Sequence, residues 1–334
     1  MARLATGAAL CGALLVGLNG CDAVKKSLPG VSQLPFFDET PTVAEGMASL
    51  SVTPDAQLVS PTIREEGTLT VGIDTNAALA PMCITGDGGA ITGIDVDLAS
   101  TLADQLGLKV KFVSIVGTDD ATANTCDIVM DVSPDAVSSA TVVGSYSESA
   151  SAFFHKGEAG TVAVADLEGK KVGVQSGSVS ERALNKTGLD MTEQPYANLN
   201  EAFDALESGD IDYVLCDAYA GAYLAHTYGD LAFAGSLDAP ATRGIAVTSS
   251  NTTLQGIIQQ ALETAQSNGT YEAIRARWIG DFPTLTSDQQ IADIPEGDDS
   301  ADESADEETD ATDTADGGEA TGAGANAVTL SATL

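Results

Sequence analysis

The chain is predicted to be an α/β protein with largely parallel sheets, and three observations carry that prediction. Short β-rich runs alternate with amphipathic helical segments between about residues 63 and 285. With 43% hydrophobic residues, the chain has enough apolar surface for a real core. Its 334 residues suggest about two domains.

The elements follow in order. Thr68–Ile73 is a β-rich run. Ile94, Leu98, Leu102 and Leu106 recur at helical spacing, with Asp95 before the first turn and Gly107 as the stop. Lys109–Val113 alternates as a strand, and Asp127–Val132 is another, rich in Ile, Val and Met. Lys171–Val174 precedes helices at Val179–Leu184 and Leu199–Ser208; Gly209 stops the second before the strand Ile211–Cys216. A helical stretch runs from Ala218 to His226. The last two helices carry Leu254, Ile258, Ala261, Leu262 and Ala265, then Tyr271, Ile274 and Trp278.

The ends differ from this body. Leu4–Leu18 is apolar or small at nearly every position, shorter than the roughly 20 residues a membrane span needs. Residues 1–20 read as a secretory signal peptide. Leu18-Asn19-Gly20-Cys21 resembles the lipobox of bacterial lipoproteins, so Cys21 is the expected lipid attachment site; the alternative is a signal peptide with a stray cysteine. Residues 21–60 read as a lipid-anchored flexible tether, and 286–334 as an acidic disordered tail.

Charge excludes some partners. There are 49 Asp and Glu against 14 Lys and Arg, a formal net charge of −35. Twelve carboxylates lie between Glu296 and Glu319, but the body remains acidic without them. Nucleic acid, which needs a basic surface, is excluded. The inventory also argues against an enzyme. The two histidines, His155 and His226, are isolated, and neither a nucleophile elbow nor a phosphate loop is present. No Cys/His spacing suggests a metal, and no cofactor is expected. Asp95 and Asp97 read as helix-capping carboxylates, because residues i and i+2 do not face each other.

A series of motifs carries a resemblance. Gly67-Thr-Leu-Thr-Val-Gly-Ile-Asp74, Ile91-Thr-Gly-Ile-Asp-Val-Asp-Leu98 and the run from Asp166 to Ser178 occur in that order. Glu201–Asp212, Cys216-Asp217, Gly244–Val247 and Gly269–Gly280 follow. Together they resemble the polar-amino-acid group (family 3) of extracellular solute-binding proteins of ABC transporters. The resemblance implies a type II periplasmic-binding-protein fold: two α/β lobes, two crossings, and a ligand cleft between them. Lobe 1 would be 62–155 plus 241–285 and lobe 2 156–240, within a body of 61–285. The crossings would fall at Phe153–Gly157 and Ala239–Gly244. The implied function is capture of a small polar solute, an amino acid or a relative, for an ABC permease beside the membrane. A sensor for a signalling partner, or a dehydratase-like or transglycosylase-like enzyme on the same fold, are the alternatives. The body is expected to be a monomer.

The resemblance also names site residues. Asp217 matches the aspartate that pairs with the ligand's α-ammonium group; it also opens a helix as an N-cap, and the two roles are compatible. Ser178 matches a hydroxyl in a turn that binds the ligand carboxylate, with plain N-capping as the alternative. Asp74 matches a cleft-edge position, or is a strand-end turn. The family arginine that clamps the carboxylate is absent: the segment reads Ser133-Pro-Asp-Ala136. Arg243 is the expected substitute, unless it is a surface residue or the ligand is not a free α-amino acid. Of the cysteines, Cys83 and Cys126 lie beside lobe 1 strands and are expected to pair as a disulfide in an oxidising compartment. Cys216 is expected to be buried and unpaired.

Overall fold

The computed structural model describes residues 58–74, 80–86, 89–297 and 328–332, all within one compact unit, Thr42–Leu334. The signal peptide, Cys21 and nearly all of the tether lie outside the described residues. Among the described residues, no helix is long and apolar enough to cross a membrane.

The first lobe opens with β1 (Thr68–Ile73), β2 (Ile84–Thr85), β3 (Ala90–Thr92), α1 (Ile94–Gln105) and β4 (Lys109–Ser114). It continues through α2 (Thr118–Asn124), β5 (Ile128–Val132) and β6 (Ala140–Ser149). The chain then enters the second lobe with β7 (Ser151–Lys156), β8 (Lys171–Gln175), α3 (Val179–Leu184) and β9 (Thr192–Tyr196). That lobe is completed by α4 (Leu199–Ser208), β10 (Tyr213–Asp217), α5 (Ala218–Tyr228) and β11 (Leu231–Ser236). The return to lobe 1 supplies β12 (Ala241–Thr248), α6 (Thr252–Ser267), α7 (Thr270–Ile279) and finally β13 (Val328–Ala332).

Two sheets result. Lobe 1 has the order β2-β3-β13-β4-β1-β5-β12-β6, and lobe 2 the order β11-β7-β10-β8-β9. Each holds a run of three parallel strands: β4-β1-β5 in one, β10-β8-β9 in the other. The strands next to the crossings, β6, β7, β11 and β12, pair antiparallel. The sheets are therefore more mixed than the expected largely parallel pattern. A chain that crosses directly from strand to strand has no helix in between to reverse its direction.

Burial explains why these segments fold as they do. Alternate residues Leu69, Val71 and Ile73 of β1 pack with Ile94, Leu98 and Leu102 of α1 on one face of the lobe 1 sheet. Each such side chain contributes about 1.5–3 kcal/mol when fully buried. Val113, Ile115, Cys126 and Val129 form a separate cluster on the other face. In lobe 2, α5 lies close on β7: a Cβ on Gly221 would strike the Phe154 ring, so the helix needs glycine there.

Several boundaries depart from the sequence expectation. The first crossing is at Ala150, between β6 and β7, rather than at Phe153–Gly157, because those residues are already inside a lobe 2 strand. The second runs from Leu237 to Pro240, ahead of the expected Ala239–Gly244, since β12 begins at Ala241. The chain also crosses between the lobes a third time, after α7, from lobe 1 to lobe 2. Phe282 packs edge-on against Phe233 at 5.4 Å and against Tyr219 at 5.8 Å. Ile291 is buried in the lobe 2 core, and its N–H donates to the Ser236 carbonyl at 2.9 Å. Gly188 and Gly297 add backbone bonds to Pro295 and Lys186. Ordered chain thus continues to residue 297, past the expected tail boundary at 285. Val328–Ala332 is a further exception to a disordered tail, pairing parallel with β3 and antiparallel with β4. Averaging composition over the acidic stretch hid the β-prone Val328-Thr-Leu run. The residues between, 298–327, lie outside those described.

The expected Cys83–Cys126 disulfide is not formed: both thiols are free and buried, as is Cys216. Cys83 packs with the α1 face of the lobe 1 sheet, whereas Cys126 lies against Gly72 on the opposite face. The sheet itself separates them. Burial pushes the Cys83 and Cys126 thiols up to about 12.

Candidate functional site

The carboxyl ends of β5 and β10 lie at a cavity of 380 Å³ between the lobes, where the chain crosses. Lobe 1 contributes Asp131, Ser147, Glu148 and Arg243; lobe 2 contributes Ser180, Asp217 and Tyr219; the second crossing contributes Asp238. A smaller cavity of 110 Å³ adjoins it, sharing Asp131 and Arg243 and adding Asp74, Asp95 and Ala136.

Asp217 holds both roles that its position allows. It caps α5, with Oδ1 accepting the N–H groups of Tyr219 and Ala220 at 3.0 Å each, and it lines the cavity. Burial and then the charge of Asp131 push its carboxyl up to about 6, against the opposing helix amides.

Asp131 is the pivot of the lobe 1 wall. Its φ of 55° is left-handed, a region that a non-glycine residue enters at a cost of about 1–2 kcal/mol. Its N–H donates to the Tyr146 hydroxyl at 2.6 Å, and its carboxylate accepts from Ser147 Oγ at 2.8 Å. Tyr146 in turn donates to Asp95 at 2.7 Å. The Tyr271 hydroxyl donates to the Tyr146 carbonyl, steadying the same strand. Asp95 is 1% exposed, and burial followed by the Asp131 charge raises its pKa well above the ordinary carboxylate range.

Asp95 and Asp97 do not cap α1: Gly93 stands at the N-cap, without a side-chain bond. Asp95 serves instead as the acceptor for Tyr146. Asp97 reaches α7, accepting from Trp278 Nε1 at 2.8 Å and pairing with Arg277 at 3.2 Å.

Arg243 is neither a free surface residue nor an unoccupied clamp. β12 runs antiparallel beside β5, with Gly244 opposite Val132, which sets Arg243 over Asp131. Its Nε and Nη2 donate to the Asp131 carbonyl at 3.2 and 2.7 Å, and Nε is 3.2 Å from the carboxylate. Ser178 caps α3 by accepting the Glu181 N–H at 3.0 Å; its neighbours Val179 and Ser180, rather than Ser178, line the large cavity. Asp74 follows β1 and lines the small one. Ala136, in the segment where the resemblance implies an arginine, also lines the small cavity.

Glu148, Asp131 and Asp238 were missed by the sequence reading. Glu148 accepts from the Tyr219 hydroxyl at 3.1 Å, a bond from lobe 2 to lobe 1, and burial raises its pKa. Asp238 accepts the Ser151 N–H at 2.7 Å, and burial raises its pKa too. Both lie next to crossings, in Ser- and Ala-rich runs without periodicity. An acidic residue at such a junction was the available signal.

Two mixed sheets with a polar cavity at their crossings define a two-lobed solute-binding architecture. Residues 69–281 match the family of bacterial extracellular solute-binding proteins, family 3, and the chain belongs to that family. Among curated relatives, it is 29% identical over 229 residues to the L-cystine-binding protein TcyJ of Escherichia coli strain K12, covering 65% of this chain and 85% of that one. Among solved structures, an ancestral cationic amino acid solute-binding protein superposes with a TM-score of 0.54 at 26% identity, covering 64% of this chain and 96% of that one. A polar amino acid ABC uptake transporter substrate-binding protein from Streptococcus thermophilus gives a TM-score of 0.57 at 22% identity, over 67% and 89% of the two chains. The fold is that of type II periplasmic binding proteins.

Proposed function

We propose that this chain is a membrane-anchored extracytoplasmic receptor that captures a small polar solute, an amino acid or a relative, and delivers it to an ABC importer. The observation that carries the reading is the cavity at the crossings, walled by Asp217 from one lobe and by Asp131 and Glu148 from the other. A solute bridging these groups would hold the lobes together, and hinge closure around a ligand is a signal a permease can read. Asp217 takes the solute's ammonium group, as a charged acceptor in a water-poor cleft. Asp74 extends the acidic wall, and the turn at Ser178 closes the lobe 2 side.

The anchor is Cys21, lipidated after removal of residues 1–20, with the following segment as tether to the body. Names of the relatives support binding and transport rather than catalysis. Deleting the gene tests the delivery step: uptake of the bound solute by cells should be lost. A Cys21→Ser chain should shift from the membrane to the soluble fraction. Unchanged uptake of every solute that the purified chain binds would contradict delivery and leave a sensor.

A further inference from the structure

The walls of the two cavities are rich in acceptors and poor in free donors. Asp74, Asp95, Asp131, Glu148, Asp217 and Asp238 line them, against one lining cation, Arg243, among the described residues. That cation is committed to Asp131 through both its carbonyl and its carboxylate. Arg275 lies behind the wall, 5% exposed and bonded to the Phe282 carbonyl and to Thr284. Three of the neutral donors are also turned inward: Ser147 to Asp131, Tyr219 to Glu148, and Ser180 to Ser151.

The two places where an anion clamp was expected each hold a carboxylate of the chain itself. Arg243 holds Asp131. In the turn before α3, the Gly177 N–H donates to Glu181 Oε2, while Arg182 bonds the Gly177 carbonyl at 2.7 Å. Ala136 offers no side-chain donor. A ligand carboxylate entering this cavity would face carboxylates and one guanidinium that already holds Asp131.

We infer that the ligand is a small organic cation, an amine or guanidinium compound, that carries no free carboxylate. The inference rests on the solute-receptor reading and narrows it. Crowded carboxylates raise one another's pKa, as Asp131 does for Asp217 and Asp95, and a bound cation relieves that repulsion.

Matched pairs that differ only in the carboxylate test this: agmatine against arginine, and cadaverine against lysine, titrated calorimetrically into the full-length chain. Either decarboxylated probe should bind at least about tenfold more tightly than its amino acid. Asp217→Asn, which keeps the capping oxygen, should weaken that probe by about tenfold or more. Asp131→Asn, which removes the carboxylate paired with Arg243 while keeping the carbonyl that Arg243 also bonds, should move the preference back toward the amino acid. Tighter binding of arginine or lysine would overturn the inference and leave the receptor reading standing. So would binding confined to neutral or anionic solutes. Silence from the matched pairs and from neutral and anionic solutes alike would overturn both.

Discussion

The Tyr146 hydroxyl donates to the buried carboxyl of Asp95 at 2.7 Å while accepting the N–H of Asp131 at 2.6 Å. One phenol thus satisfies an aspartate 1% exposed and pins a second aspartate in a left-handed conformation. Tyr146→Phe keeps the ring, and its edge-on contact with Tyr271 at 6.2 Å, but leaves Asp95 without that donor. The variant should lose about 1–3 kcal/mol in urea unfolding. An unchanged midpoint would mean that the network does not hold the wall.

The cavity carboxylates give two pH effects of opposite sign. Asp217 titrates at about 6 in the fold against an ordinary 3.8, so the folded chain holds its proton more tightly. Its contribution to the stability of the unliganded chain therefore rises as pH falls through 6 toward 4, and is lost as pH rises. Asp131 and Arg243 are the charged groups that act on it; the first raises and the second lowers its pKa. Cation binding needs the ionised form. Affinity for a cationic solute should fall by up to about tenfold per pH unit below 6, while unliganded stability from this group increases. Titrations at pH 7.5 and 5, paired with urea melts, would separate the two.

The thiols make a simple mass prediction. Cys83, Cys126 and Cys216 are free, and the first two lie on opposite faces of one sheet. Alkylation of the denatured chain should add the same mass at these positions with and without prior reduction. A reductant-dependent increase would show a bridge that this fold does not permit.

The third crossing should carry measurable stability. Ile291 is 2% exposed in the lobe 2 core. Truncating it to alanine should cost about 2–5 kcal/mol. If the segment after α7 only decorates the surface, Ile291→Ala would unfold at the wild-type urea concentration.

Local signals made part of this legible. Helices α3 and α4 match their predicted bounds because Ser178 and Asn198 cap them and Gly209 stops the second, all within a few residues. Strand β6 was missed because Ala140–Ser149 is largely small and polar, and only its pairing with β12 makes it a strand. Asp217 could be found, since it sits at a strand-to-helix junction. Asp131 could not, because its role depends on a left-handed backbone and on Arg243, 112 residues away in sequence. The capping expected of Asp95 gave way to a tertiary contact with Tyr146 that no window of sequence contains.

The most direct test of the account is thermal unfolding of the full chain against amino acids, amines, carboxylates and sugars, repeated with Asp217→Asn. A true ligand at 100 times its dissociation constant should stabilise the fold by about 2.7 kcal/mol. We predict that shift for at least one amine-bearing solute in the wild-type chain, and a much smaller one in the variant. An equal shift in both, or none with any solute, would contradict a receptor built around this cleft.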